Sequence, residues 1–410
     1  MTNSTTSLPN SPAVTYSDLI RLFLKLSLTA FGGPIAHIAM AEDEIVVRRG
    51  WMTRDHYLDL VAATNLIPGP NSTEVMIHVG YVTKGIPGAL VAGACFIGPA
   101  FLLTLALAVL YSGTGQIPQI EAILWGIKPV IVAIIAQAGY RLAITALKNR
   151  ALWILLIVSL AVVLFTPIPE VIVMIAAGVV YGLYVTGFGG AVAAMVAFLN
   201  PHPVPLSLMA RGNTLFTSTL SLVEAAPASL WDIFFYFLKI GSVLFGSGYV
   251  LISYIQQDVV NGFGWLTGRQ LLDAVAIGQL TPGPVSTTVA VVGYIIAGLP
   301  GAIVATLGIF LPSFVLVILT APLIPKMRQS KFLGGFLSGV NAGVIAAILV
   351  TLIELTGAAL RTLDGSTWSP VAILLALVAL ALLIRYKTNA TWLILMGGIV
   401  GLVASILRIA

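Results

Sequence analysis

Long apolar runs alternate with short polar links along this chain, and the runs come in distinct lengths. Apolar stretches fill 86–111, 120–147, 299–323 and 332–358. At 1.5 Å per residue each predicts a helix long enough for a hydrocarbon core about 30 Å thick. Two more apolar helices are predicted to close each half, at 151–166 and 170–186, then at 369–385 and 390–409. Ahead of the long runs stand two pairs of shorter stretches, 55–67 with 71–83 and 269–281 with 285–297. Each is roughly 20 Å as a helix, too short to cross alone. Each pair is therefore one broken span or a re-entrant hairpin. An amphipathic helix opens each half, over 17–40 and 231–254, interrupted by Phe31-Gly32-Gly33-Pro34 or by Phe245-Gly246-Ser247-Gly248.

The pattern repeats because the sequence repeats. Asp18–Thr73 aligns with Asp232–Thr287 at a constant offset of 214, and 21 of the 56 aligned positions are identical. They include Lys25/Lys239, Phe31-Gly32/Phe245-Gly246, Trp51/Trp265, Asp59/Asp273 and Pro-Gly-Pro-x-Ser-Thr at 68–73 and 282–287. After one deletion the match resumes at an offset of 213, with Gly80-Tyr81 on Gly293-Tyr294 and Pro99 on Pro312. The predicted organisation is a polar tail at 1–16, a first repeat at 17–199 ending in the short stretch 189–199, a linker at 200–230 and a second repeat at 231–410. Duplicated halves that both carry a Pro/Gly-broken segment point to a transporter with its site between the repeats.

Composition supports a lipid environment. Of 410 residues 59% are hydrophobic and 9% charged, with mean hydropathy +1.04, where soluble domains carry about a quarter charged residues. The net charge of +5 is scattered and forms no basic stripe, so nucleic acid is not implied. Cys95 stands alone, which excludes an intrachain disulfide. The Ser/Thr/Pro-rich start lacks a basic n-region and reads as a disordered tail rather than a signal peptide. There is no GxxxxGK[ST] loop, dinucleotide fingerprint or metal-ligand spacing. No cofactor, no metal and no enzymatic activity are expected.

Loop charges orient the halves. Arg48, Arg49, Arg54 and Lys84 flank the first broken pair, and Lys148 and Arg150 follow the 120–147 helix, while 112–119 carries no basic residue. In the second half the counterpart of 112–119 holds Lys326, Arg328 and Lys331, and Arg385 and Lys387 fit the same scheme. Basic loops stay cytoplasmic, so the repeats are expected to be inverted. With re-entrant broken pairs, each half would cross five times.

Pro-Gly-Pro is the sharpest local signal. Proline rejects a helical residue before it and suits the first turn after it. Gly69-Pro70 and Gly283-Pro284 should therefore start new helices, with Ser72, Thr73, Ser286 and Thr287 in first turns that attract anions. A simple packing kink is the plainer alternative. Lys25 and Lys239 sit at one repeat position inside apolar helices, where a charge needs a cavity or a partner; they are candidate point-charge ligands for an anion, with snorkelling to the interface the alternative. Lys128, followed by Pro129, is a third charge; its counterpart is Asn341. Gly32, Gly33, Gly246 and Gly248 are candidate backbone donors or hinges, or packing sites. Asn65 and Gln279 could donate amides to an oxyanion or satisfy the helix break. Asp59, Asp273 and Glu74 are candidates for coupling, with structural pairing the alternative for the two aspartates. His37 and His78 read as packed or interfacial.

Phe31-Gly32-Gly33-Pro34, then Ala36-His37-Ile38, Trp51 and Leu66-Ile67-Pro68-Gly69-Pro70 resemble the signature of the chromate ion transporter family. Phe245-Gly246-Ser247-Gly248 and Leu280-Thr281-Pro282-Gly283-Pro284 resemble its second-repeat form. The resemblance covers about 17–410, in the manner of the long two-domain members. It implies a multi-pass bacterial inner-membrane protein that exports chromate, with sulfate, a similar dianion, as competitor or native cargo. Glu74 departs from the pattern, since a carboxylate in the first turn would repel a dianion. A passive anion channel and a cation carrier on a similar scaffold remain open as alternatives, and a homodimer is one arrangement left open.

Overall fold

A computed structural model describes residues 14–31, 33–114, 117–187, 228–245, 248–363 and 366–407. The expected tail lies outside these apart from 14–16, and the linker apart from 228–230. The stretch 189–199, Gly32 and Gly246 also lie outside. The described residues are helical throughout, joined by short turns and one isolated bridge, Arg361 to Trp368.

In the first repeat, helix α1 is Tyr16–Thr29, α2 Pro34–Glu42, α3 Arg54–Thr64, α4 Asn71–Thr114, α5 Pro118–Ala146, α6 Arg150–Phe165 and α7 Glu170–Val185. In the second, α8 is Leu230–Val243, α9 Val250–Tyr254, α10 Gly268–Leu280, α11 Thr288–Thr320, α12 Ile324–Gln329, α13 Lys331–Ala359, α14 Pro370–Arg385 and α15 Ala390–Ile406. Local chemistry repeats with the sequence. Thr15 with Asp18, and Ser229 with Asp232, form capping boxes at α1 and α8. Wide π-helical turns extend α2 over Asp43–Arg48 and α9 over Ile255–Gly262.

The opening segments do not form one interrupted helix each, as 17–40 and 231–254 suggest. The chain doubles back at each Phe-Gly break. Lys25 Nζ lies 2.7 Å from Glu44 Oε1, and Lys239 Nζ lies 3.3 Å from Asp258 Oδ2. Nineteen residues of continuous helix would separate such partners by about 28 Å. At the first break Gly33, at φ +79°, supplies backbone freedom for the reversal.

A second reversal follows at Pro-Gly-Pro. Thr64 Oγ1 donates to Asn71 Oδ1 at 2.8 Å beside the tip, while His56 and His78, at the far ends, lie within electrostatic reach of each other. So α3 and the first leg of α4 run antiparallel, with Tyr57 and Leu60 packed among Val75, Met76 and Val79. In the second repeat Gly278 packs on Thr288. A third reversal splits α4 at Lys84-Gly85 and α11 at Ala297-Gly298, where both glycines have positive φ. The two legs then touch through bare glycine backbone, Gly80 on Gly88 and Gly293 on Gly301. This resolves the short stretches 71–83 and 285–297 into hairpin arms, each ending where the long run begins.

The remaining helices are exchanged between repeats. α7 and α6 pack on α13 of the second repeat, and α15 and α14 pack on α5 of the first. Small residues permit the closest approaches, Gly126 against Gly397 and Gly401, and its counterpart Gly339 against Ala177. Among the described residues, the segments Asn71–Gly113 and Val285–Leu323 and the helices α5 and α13 are long and apolar enough to cross a membrane.

Candidate functional site

Four hairpin tips converge between the repeats, and they are tied crosswise. Gly69 N–H donates to Leu244 O at 2.7 Å, and Gly283 N–H donates to Ala30 O at 3.1 Å. Each Pro-Gly-Pro glycine thus bonds the carbonyl just before the Phe-Gly break of the other repeat, with φ of +145° and +96°. Gly283 also packs on Ala100, and Gly69 on Ser313, which is the repeat counterpart of Ala100. These two N–H groups are committed to the scaffold and are not donors for a ligand.

Two cavities open beside the crossed tips, of about 440 and 370 Å³, and they share Asn71, Leu142 and Thr145. The larger is walled by one face of α5, with Ile134, Gln137, Arg141 and Thr145 at helical spacing. Opposite stand Phe31, Pro34, Asn71 and Tyr249, and at its rim Lys387 to Ala390. The smaller lies between Thr64, Asn65, Gly69 and Phe245 on one side and Leu337, Ser338 and Asn341 of α13 on the other. Arg141 and Lys387 are the charges among all these lining residues, and none of the lining residues is a carboxylate. Arg141 takes part in none of the ion pairs among the described residues. It lies within electrostatic reach of Tyr249, whose hydroxyl sits close to Gly33. The arrangement offers a guanidinium, an ammonium, amides and hydroxyls to a ligand and no competing negative charge.

The sequence-predicted residues divide around this site. Asn65 is exposed at the smaller cavity and accepts from Asn71 Nδ2. Gln279 is buried. Ser72, Thr73, Ser286 and Thr287 are buried just behind the tips: Ser72 Oγ is 3.3 Å from His37 Nδ1, and Thr287 Oγ1 donates to Pro284 O. It is Asn71, not Ser72 or Thr73, that presents the start of α4 to the cavities. Pro70 O is occupied by the N–H groups of Thr73 and Glu74, and Pro284 O by Thr287. Gly248 packs near Ser286.

Lys25 and Lys239 do not line either cavity. Lys25 shares Glu44 with Arg48 and Arg49, and Lys239 pairs with Asp258 beneath the Tyr236 ring. Lys128 is buried and lies 3.1 Å from Asp273 Oδ1, while Tyr111 O–H donates to Asp273 Oδ2 at 2.9 Å. This triad fastens α10 to α5 and α4. Asp59, the counterpart of Asp273, is exposed. Glu74 is fully buried, and among the described residues neither carboxylate oxygen has a hydrogen-bond partner.

Sequence reasoning missed Arg141 because it lies near the end of a long, mostly apolar helix and its repeat counterpart is Glu354. Nothing in the duplication marks it. The signal available was its place in the stripe Ile134, Gln137, Arg141, Thr145.

The comparisons with known proteins bear on what this site handles. A family model described as "Chromate transporter" matches residues 17–183 and 231–402. The chain belongs to the chromate transporter family. A relative named "Chromate transport protein" from Cupriavidus metallidurans is 32% identical over 98% of this chain and 96% of its own length. Another of that name from Pseudomonas aeruginosa is 32% identical over 95% of this chain and 92% of its own. A "Probable chromate transport protein" from Synechococcus elongatus is 29% identical over 87% and 88%. No solved structure matches. Membership in the chromate transporter family makes this a two-repeat, multi-pass membrane transport protein with a role in chromate transport.

Proposed function

We propose that the protein exports chromate by alternating access, taking the tetrahedral oxyanion into the Arg141 cavity between the repeats. The observation that carries this reading is the unequal state of two homologous hairpins. Asp273 is sealed on Lys128 and Tyr111, whereas Asp59 is exposed; Gln279 is buried, whereas Asn65 faces a cavity. One hairpin is closed and its twin is open, as expected of a carrier caught with access from one side.

Loop charges indicate which side. Arg141 and Lys387 belong to the same end of the molecule as Lys148, Arg150 and Arg385, and basic loops face the cytoplasm. The open cavity then faces the cytoplasm, where an exporter collects its cargo. The inverted arrangement rests on these charges rather than on a count of crossings, since the opening helices fold back on themselves. In this reading Arg141 supplies the fixed charge, with Asn71 at the start of α4 as a hydrogen-bond donor. Lys387 raises the local anion concentration at the rim. A bacterial inner membrane is the setting this implies.

Sulfate has the same shape and charge and fits the same donors, so it should compete. The test is uptake of radiolabelled chromate into inside-out vesicles from cells with and without the protein, with excess sulfate as a second arm. Accumulation above empty vesicles that sulfate suppresses is expected. Downhill flux without accumulation under any gradient would instead identify a passive anion channel.

A further inference from the structure

A line of titratable side chains runs through the first hairpin and is missing from the second. At its inner end is Glu74, fully buried, with both carboxylate oxygens unpartnered. Its carboxyl lies against Gly69. A methyl placed on that glycine would fall 2.8 Å from Glu74 Cδ and 2.6 Å from Ser313 Oγ. Because Gly69 lines the smaller cavity, only a residue without a side chain separates the carboxyl from it. His78 follows four residues on, on the same face of the helix. It is 2% exposed, and its Nδ1 has no partner. His56, half-buried in the first turn of α3, lies within electrostatic reach of His78. It stands at the hairpin's base, two residues after Arg54. The second repeat has Thr288, Val291-Val292 and Gln270 at the corresponding positions.

Among the described residues Glu74 has no counter-ion. From α2 comes His37, whose ring nitrogens meet Ser72 Oγ and Ala30 O. Among the charges of α1, Lys25 is held on Glu44; α3 carries Arg54 on Glu42, with Asp55 and Asp59 exposed. The second leg of α4 adds Cys95 and Tyr111, and α11 adds Tyr294 and the hydroxyl of Ser313 but no charge. An ionised carboxylate buried without a partner is strongly disfavoured, so Glu74 holds its proton in this state. Movement of the tip that admits water from the cavity lets it go.

We propose that Glu74 carries one proton per transport cycle and that His78 and His56 conduct it to the basic face, coupling proton entry to oxyanion exit. In each cycle the carboxylic O–H breaks and the proton passes to a ring nitrogen of His78, then to His56 and to water. The carboxylate left behind is reprotonated when the tip opens to the opposite side. This rests on the export reading above, deepens it by naming the coupling ion, and assigns the asymmetry of the two hairpins a role.

The experiment uses the full chain in proteoliposomes with the membrane potential clamped. Two rates are read: exchange of labelled for unlabelled chromate at equal pH, and chromate uptake driven by an acid interior. The unaltered protein should do both. Glu74→Gln should keep the exchange and lose the gradient-driven accumulation, while His78→Gln should slow only the latter. The proposal is overturned if Glu74→Gln still accumulates chromate like the parent, if it loses exchange as well, or if the parent ignores the gradient. Failure of the parent even to exchange chromate would instead overturn the transport reading itself. Should Glu74→Gln not fold, a pH-sensitive dye on the unaltered protein decides: proton counterflow accompanying chromate is expected, and its absence overturns the proposal.

Discussion

Lys25 Nζ sits 2.7 Å from Glu44 Oε1, and 214 residues later Lys239 makes the same contact with Asp258. The paired lysines read from the sequence as matched anion ligands are matched ion pairs instead, each tying the end of a hairpin to its start. Both lysine side chains are about half exposed, 49% and 56%. Exposed pairs of this kind are worth roughly 0–1 kcal/mol. Lys239→Ala should therefore lower the melting temperature of the purified protein only slightly and leave most chromate export. Complete loss of export with normal membrane insertion would return the lysine to the binding site.

Arg141 should behave differently. A hydrogen bond to a charged group contributes about 1.5–3 kcal/mol, so Arg141→Ala should weaken chromate binding by roughly one to two powers of ten. Arg141→Lys keeps the charge but loses the planar fork and should recover only part. Measuring export against chromate concentration for both variants checks the order.

The crossed glycines carry the junction of the repeats. At φ +145° and +96° any side chain is strained, and a methyl would collide with Glu74 and Ser313 at Gly69, or with Ala100 at Gly283. Gly69→Ala and Gly283→Ala should each reduce folded protein sharply, read as the monodisperse fraction after extraction in mild detergent. Gly85→Ala meets no atom within 4 Å and carries only the positive-φ strain, so it should be the milder change.

The Lys128–Asp273 pair is buried, so removing one member leaves an uncompensated charge, at a cost of about 3–5 kcal/mol. Lys128→Met should lower the melting temperature substantially. The double change Lys128→Met with Asp273→Asn should restore much of it, because the amide can still accept from Tyr111. A double variant no better than the single would show that the pair is not the fastening between α10 and α5.

Much of this architecture could be read from the chain because helix length and proline chemistry are local. The 13-residue stretches around each Pro-Gly-Pro were too short to cross, and they are hairpin arms. Proline and glycine marked every reversal except one detail of consequence: at Phe31-Gly32-Gly33-Pro34 the spacing of apolar residues is the same for a kinked helix and for one that turns back. Only the meeting of Lys25 with Glu44 separates the two. The crossed bonds from Gly69 to Leu244 and from Gly283 to Ala30 were equally hidden, because they join opposite repeats through backbone atoms. Duplication drew attention to repeated residues such as Lys25 and Ser72-Thr73. The cavity is lined largely by what the repeats do not share: Asn71 against Val285, Arg141 against Glu354, Tyr249 against Ile35. A single asymmetric ligand site inside a symmetric scaffold is built at such positions.

Equilibrium binding of radiolabelled chromate to the purified protein tests the central claim most directly, comparing the parent with Arg141→Ala and Lys25→Ala. Saturable binding that sulfate displaces, lost in Arg141→Ala and kept in Lys25→Ala, is the predicted result. Parental binding by Arg141→Ala would contradict the account and place the oxyanion elsewhere.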